Sequence, residues 1–107
     1  MTRHKRNLPP THLSPDAAVW WSAVESQYEF NAADLALLGQ AAEVLDRLTA
    51  ARKQIEADGA YVFVKGVARP HPALRAERQD RVVLARLLRE LALPLDDADD
   101  ARPPRRR

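Results

Sequence analysis

The spacing of apolar residues predicts that this chain forms three helices. The segment Leu13-Ser14-Pro15 is typical of a helix start. Ser14 can cap the first turn, and Pro15 fits the first helical position because its missing N–H has no partner there. We expect this helix to run from Pro15 to about Gln27. Its large apolar face consists of Trp20, Trp21, Val24 and Tyr28.

The second predicted helix is long. Asn31 can cap its start and Gly59 can end it, so about 27 residues would span about 40 Å. Apolar side chains cover about half of its circumference, more than one neighbour requires. This helix therefore contacts either both other helices or another subunit as well. Gly39, in its middle, suggests the close approach of a neighbouring backbone.

A short β-hairpin follows. Tyr61 and Phe63 alternate with valines before Lys65-Gly66, which can turn the chain. A two-residue turn requires positive φ at both positions; glycine adopts it readily and lysine poorly, so the turn type stays open. Because an isolated strand pair is only marginally stable, we expect the hairpin to lean on the helices.

The segment Arg69-Pro70-His71-Pro72 predicts a sharp entry into the third helix. The two prolines keep the residues before them out of the α region, and Pro72 suits the first helical position. The helix should run to about Leu93. For His71 we favour a cap or a packed ring over a catalytic base or metal ligand.

The third helix carries arginines on one side and leucines on the other. At 100° per residue, the arginines occupy an arc of about 80° opposite the leucines. They are either a solvated face or a positive ridge suited to phosphates. Glu77 and Asp80 lie on the leucine side, so the first two turns either project past the core or meet charges on a neighbouring subunit. The stripe consists of Arg75, Arg78, Arg86 and Arg89, and the leucine face of Leu84, Leu87, Leu88 and Leu91.

These elements predict a mainly α fold: a three-helix domain with a long central helix and a small β-hairpin before the last helix. The domain spans residues 13–93 of the 107, between a basic flexible tail (1–12) and an acidic-then-basic flexible tail (94–107). A domain of about 80 residues buries only about 60–65% of its unfolded surface, which favours self-association.

The composition excludes several classes of chemistry. Without cysteine there is no disulfide or thiolate metal site, and three single glycines form no phosphate-binding loop. His4, His12 and His71 share no metal-ligand spacing. We therefore expect no catalytic residue, metal or cofactor. With no signal peptide and no apolar run of about 20 residues, we expect a cytoplasmic protein that does not enter a membrane.

The order of these motifs resembles that of the small subunit of tailed-phage terminases, in the group with an LSP and a PHP pattern. Leu13-Ser14-Pro15, the tryptophan pair, the alanine-rich helix, the strand pair and Pro70-His71-Pro72-Ala73 carry the resemblance, over about residues 13–93. Family members are helical and form rings. The usual Leu-Gly-Leu near the end is here Leu91-Ala92-Leu93, followed by Pro94 and the charged tail.

The resemblance implies a non-catalytic protein in the host cell cytoplasm. It would recognise the packaging start site on viral double-stranded DNA and regulate the terminase large subunit, which carries the ATPase and nuclease. The alternative is a helical protein-interaction module, adaptor or antitoxin-like, without DNA binding. The candidate DNA-binding residues are Arg69, Arg75, Arg78, Arg86, Arg89, Arg3, Lys5 and Arg6. The candidate oligomerisation residues are Trp20, Trp21, Leu38, Leu45, Leu48 and Ile55.

Overall fold

A computed structural model describes residues 7–93. The mainly helical fold is confirmed, with three helices, a long central one and a hairpin before the last. The elements are α1 (Pro15–Gln27), α2 (Ala32–Asp58), β1 (Tyr61–Val64), β2 (Val67–Pro70) and α3 (Pro72–Glu90). The helix α2 packs against both α1 and α3 of its own chain, which accounts for its wide apolar face.

The start of α1 is fixed by Ser14. Its Oγ accepts a hydrogen bond from the backbone N–H of Ala17 at 3.2 Å, as an N-cap does. The same hydroxyl donates to Asp46 of α2 at 2.5 Å, and the backbone N–H of Ser14 donates to that carboxylate at 2.9 Å. One serine therefore caps α1 and attaches it to α2.

The ends of α2 agree with the predicted signals. Asn31 and Asp34 form a reciprocal capping box, and Gly59 follows the helix with a φ of 85°. The expectation of a backbone close to Gly39 is wrong. The nearest atom to a Cβ built there is Cγ of Pro10, at the ordinary contact distance of 3.8 Å.

The core consists of two apolar clusters, and Trp20 packs against both. One cluster joins α1, the first half of α2 and the residues after α3. The other joins α2 to α3 through Ala41, Val44, Leu48 and Leu87, flanked by Leu37 and Leu84. The members of the first cluster are Leu13, Ala17, Trp21, Tyr28, Leu38, Ala42, Leu91 and Leu93.

The two strands form the predicted hairpin. Tyr61 pairs with Pro70 and Val64 with Val67, in antiparallel register. Lys65 and Gly66 have φ values of 52° and 77°, so both turn residues adopt positive φ, as a type I′ turn requires. The expectation that the hairpin leans on the helices is wrong for most of its surface, because every strand residue except the half-buried Val62 is exposed.

The helix α3 ends at Glu90, three residues before the predicted end. The N–H of Leu93 bonds to the carbonyl of Leu88, and that of Ala92 to the carbonyl of Arg89, both at 2.9 Å. These two bonds form a Schellman motif, with Ala92 in the left-handed position at a φ of 59°. The motif turns Leu93 back into the core, where it is 8% exposed.

The packed region extends further towards the N-terminus than the assigned domain start at residue 13. The backbone N–H and side-chain amide of Asn7 donate to Glu25, which is buried in α1. His12 lies 2.6 Å from Glu43 of α2. Residues 7–12 therefore contact the helices instead of forming part of a free tail.

Candidate nucleic-acid interface

The arginine stripe lies on the outer side of α3. Arg75, Arg78, Arg86 and Arg89 are all exposed, whereas Leu87 on the opposite side is buried against α2. The buried leucines fix the rotation of the helix and so direct the four guanidinium groups away from the core. The structure therefore places these four predicted residues on one face.

Two of the three acidic residues of α3, Glu77 and Asp80, point away from the stripe, whereas Glu90 is exposed beside Arg89 at the end of the helix. Glu77 and Asp80 are only 15% and 17% exposed and face α2, where they meet Arg52 at 3.2 Å and Arg47 at 3.4 Å. Glu77 also meets Arg81 at 3.5 Å. Of the two alternatives considered for the first two turns of α3, projection past the core and contact with charges on a neighbouring subunit, neither is observed, because α2 of the same chain supplies the partner charges.

This inward pairing keeps Glu77 and Asp80 from neutralising the stripe. Within residues 7–93, none of the four stripe arginines forms an ion pair. Four neighbouring cations repel one another in free solution, and a row of phosphates would relieve that repulsion. The exposed face therefore has the electrostatic character of an anion-binding surface.

The stripe is divided into two pairs. Arg75 and Arg78 lie one turn apart, as do Arg86 and Arg89, and equivalent members of the two pairs are 11 residues apart. At 1.5 Å per residue the pairs are separated by about 16 Å along the helix. Val82 lies between them and is 58% exposed. The arrangement presents two positive groups with an apolar centre.

The other candidate DNA-binding residues lie elsewhere. Arg69 is exposed on β2 and belongs to the hairpin instead of the helical face. Arg3, Lys5 and Arg6 lie outside the described residues. The residues that could not be identified from the sequence are Arg47 and Arg52 of α2. They form ion pairs with Asp80 and Glu77 of α3. The position of Glu77 and Asp80 on the leucine side was a signal that such partners exist.

The candidate oligomerisation residues fall into two groups. Trp21, Leu38 and Leu48 are 3%, 0% and 1% exposed, so they have no surface to offer to a partner. Trp20, Leu45 and Ile55 are half-buried. Leu45 lines an open groove of about 540 Å3 between α2 and the start of α1, beside Asp46 and Lys53.

His71 acts as the predicted cap. Its Nδ1 accepts from the backbone N–H of Ala73 at 3.0 Å, which assigns the ring proton to Nε2, 2.9 Å from Asp58 of α2. The ring is buried, and both nitrogens have partners. In residues 7–93 there is no group of three side chains that could hold a metal ion.

Within the same described part of the chain, no helix has the length and apolar character needed to cross a membrane. No protein-family model matches the chain, and no curated protein or solved structure matches it either.

Proposed function

We propose that this protein is the small subunit of a phage terminase, a non-catalytic oligomer that binds double-stranded viral DNA. In this role it recognises the packaging start site and regulates the large ATPase and nuclease subunit in the host cell cytoplasm. The observation that carries the DNA-binding part is the set of four arginines on α3 that lack acidic partners within the described chain.

The spacing of the stripe supports a duplex as its ligand. The major groove of B-DNA is about 12 Å wide and lies between two rows of phosphates. Two arginine pairs about 16 Å apart along a helix can each reach one row when the helix crosses the groove. Exposed Val82 then faces the groove, where a valine can contact thymine methyl groups.

Local structure at the family motifs supports the terminase part. In Leu-Ser-Pro and Pro-His-Pro, the middle residue caps the next helix and bonds to an aspartate of α2. Ala92 stands where the family has glycine, and its φ of 59° is one that glycine favours. Leu91-Ala92-Leu93 therefore adopts a turn that a glycine at its centre would form with less strain.

A ring would raise the affinity of these few contacts. Each subunit offers four stripe arginines, and subunits joined in a ring engage one DNA molecule together. Phosphate contacts carry no sequence information, so preference for a start site would come from DNA shape and from the spacing between subunits.

The experiment measures how the affinity for a mixed-sequence 30-base-pair duplex depends on salt concentration. If all four stripe arginines contact phosphates, changing them to Ala should reduce the slope of log K against log salt by about 3–4 for each subunit that engages the duplex. The matched control is Arg47→Ala with Arg52→Ala, which removes arginines that face α3. This control should change the slope by less than about 1. A quadruple variant with an unchanged slope would reject the stripe as the contact.

The terminase assignment has an independent test in the genome. A neighbouring reading frame encoding a large protein with a phosphate-binding loop and nuclease carboxylates would support it. Co-purification of the two proteins would then establish the partnership. A neighbour of unrelated chemistry would argue against a terminase, even if the DNA affinity were confirmed.

The second candidate is a helical protein-interaction module, and the exposed hairpin favours it. Tyr61 and Phe63 are 64% and 76% exposed, which is unusual for aromatic side chains without a partner. An adaptor of this kind would show no salt-dependent affinity for DNA. The duplex-binding measurement therefore separates the two functions.

A further inference from the structure

The hairpin has two apolar faces, and both are open. Residues opposite each other in an antiparallel pair point to the same side. The register therefore places Tyr61, Phe63, Ala68 and Pro70 on one side, the aromatic face. The other side, the valine face, contains Val62, Val64, Val67 and Arg69. Val64 and Val67 are 48% and 53% exposed and Val62 is half-buried, so most of the valine face is open as well.

The rest of the chain offers little that could cover these faces. Residues 1–6 and 94–107 consist mainly of charged residues, proline and small side chains, with Met1 and Leu95 as their large apolar residues. Such segments have too little apolar surface to bury two strands. An isolated two-stranded hairpin is marginal in water, so its stability depends on another molecule.

We propose that this molecule is a second copy of the same chain, with the aromatic face of one hairpin packed on the valine face of the next. The two faces are chemically complementary, because flat rings can pack on branched aliphatic side chains. Arg69 on the valine face can also lie over the ring of Tyr61 or Phe63 of the next copy, as a cation–π contact.

Two different faces imply a head-to-tail assembly. A two-fold dimer joins a face to its own counterpart and leaves the other face of each hairpin open. A contact between unlike faces uses both faces of every subunit and either closes into a ring or continues as a fibre. The hairpin contact therefore does not fit a two-fold dimer, and the ring of the proposed function is the closed form of this arrangement.

The size of the faces indicates that assembly is cooperative. At the exposures found, Tyr61 and Phe63 together would bury roughly 200–350 Å2, since aromatic side chains bury about 150–250 Å2 each. With a comparable valine face, each contact buries roughly 500 Å2, well below the about 1,000 Å2 of a stable interface. Ring closure gives each subunit two contacts, and the last one forms intramolecularly at high effective concentration. Isolated dimers should therefore be scarce.

This inference rests on the proposed function only for the expectation of a homo-oligomer. Its test is performed without DNA, whereas the DNA-binding proposal is tested by the salt slope. If the face variants remain oligomeric, the hairpin proposal fails but the DNA-binding proposal still stands. If the salt slope does not change, the DNA-binding proposal fails but the hairpin proposal still stands.

The experiment uses the full chain and two face variants. Tyr61→Thr with Phe63→Thr removes the aromatic face, and Val64→Thr with Val67→Thr removes the valine face. Threonine preserves strand preference. By light scattering, the wild-type chain should be a discrete large oligomer and each variant a monomer. The control Val19→Thr with Val83→Thr removes two exposed valines from α1 and α3 and should leave the oligomer intact.

Mixing the two variants tests the head-to-tail arrangement. Each retains the face that the other lacks, so a mixture can form only one-to-one pairs. Because a single contact is weak, adding a large excess of the unlabelled valine-face variant to the 15N-labelled aromatic-face variant should cause small, concentration-dependent shifts of the amide signals of Val64, Val67 and Arg69. Cross-strand amide contacts between Val62 and Arg69 check that the hairpin is folded, and Lys65→Asn can be added to both variants to favour the turn.

Three results would overturn the inference. A wild-type chain that stays monomeric at high concentration has no such contact. A face variant that still forms the wild-type oligomer places the interface elsewhere. A face variant that dimerises by itself shows a contact between like faces.

Discussion

Nε2 of His71 lies 2.9 Å from Oδ2 of Asp58, the last residue of α2. This contact joins the end of α2 to the start of α3 at the base of the hairpin. The backbone N–H of His71 also bonds to the carbonyl of Ala60 at 2.8 Å. One residue therefore caps α3, extends the strand pairing and connects two helices.

We expect His71→Ala to lower the free energy of unfolding by about 2 kcal/mol, since it removes both a cap and a hydrogen bond to a carboxylate. His71→Asn retains a good capping acceptor and loses the bond to Asp58, so it should cost about 1 kcal/mol. Urea unfolding measures both values. Equal losses for the two variants would show that the cap contributes nothing.

Ala92→Gly should raise the free energy of unfolding by about 1 kcal/mol. The φ of 59° at Ala92 strains a residue that has a Cβ, and glycine relieves this strain. The control Ala76→Gly, at an exposed position inside α3, should lower the free energy by about 1 kcal/mol. Thermal unfolding of the two variants should therefore shift in opposite directions, and a loss at both positions would contradict the assigned strain.

The glycines at the middle and end of α2 should respond oppositely to alanine. Gly39→Ala gains helix propensity of about 1 kcal/mol, and its methyl group meets only the side chain of Pro10 at 3.8 Å. Gly59→Ala forces alanine to a φ of 85° and should cost about 1–3 kcal/mol. Chemical unfolding tests both, and destabilisation by Gly39→Ala would indicate a tighter contact at Pro10.

The ion pair between Arg47 and Asp80 should contribute little to stability. Its N···O distance is 3.4 Å and the arginine is 57% exposed, so a double-mutant cycle with alanine should give a coupling of about 0.5 kcal/mol or less. The coupling should vanish in about 1 M salt, because the Debye length there is about 3 Å and charges further apart are screened from each other. A coupling that persists in high salt would argue against a screened surface pair.

Lys65→Asn should stabilise the hairpin by about 0.5–1 kcal/mol, because asparagine tolerates the positive φ at this turn position better than lysine. Amide exchange of β1 and β2 should slow, whereas exchange around Leu38 should not change. The control Lys53→Asn alters an exposed lysine of α2 and should leave the exchange of the hairpin unaffected.

Features encoded by neighbouring residues could be predicted from the sequence. Most helix ends could be predicted because caps and prolines act on the turn beside them. The residues concerned are Ser14, Pro15, Asn31, Gly59 and Pro72. The rotation of α3 followed from its leucines. One feature of the sequence pointed to the positive φ of Ala92: it stands where the terminase small subunits that the chain resembles have a glycine.

Features that depend on distant pairing could not be predicted. The partners of Glu77 and Asp80 lie 25 and 33 positions away on α2, and only the packing of the two helices determines which residues meet. The bond between Glu25 of α1 and Asn7, 18 positions earlier, likewise depends on how the N-terminal segment folds back on α1. The exposure of the hairpin also could not be predicted, because it depends on how far the packed ends of α2 and α3 lie from the two strands.

The α2–α3 contact is apolar at one end and made of half-exposed ion pairs at the other. This difference determines which end of the contact opens more easily. Near α1, Val44, Leu48 and Leu87 exclude water, whereas towards the hairpin the helices are joined by arginines that remain half in solvent. Thermal fluctuations should therefore loosen the two helices first at the hairpin end, where the contact between His71 and Asp58 must also break, while the core around Trp20 stays closed. A partner that binds at the tip can then reorient that end without unfolding the rest of the protein.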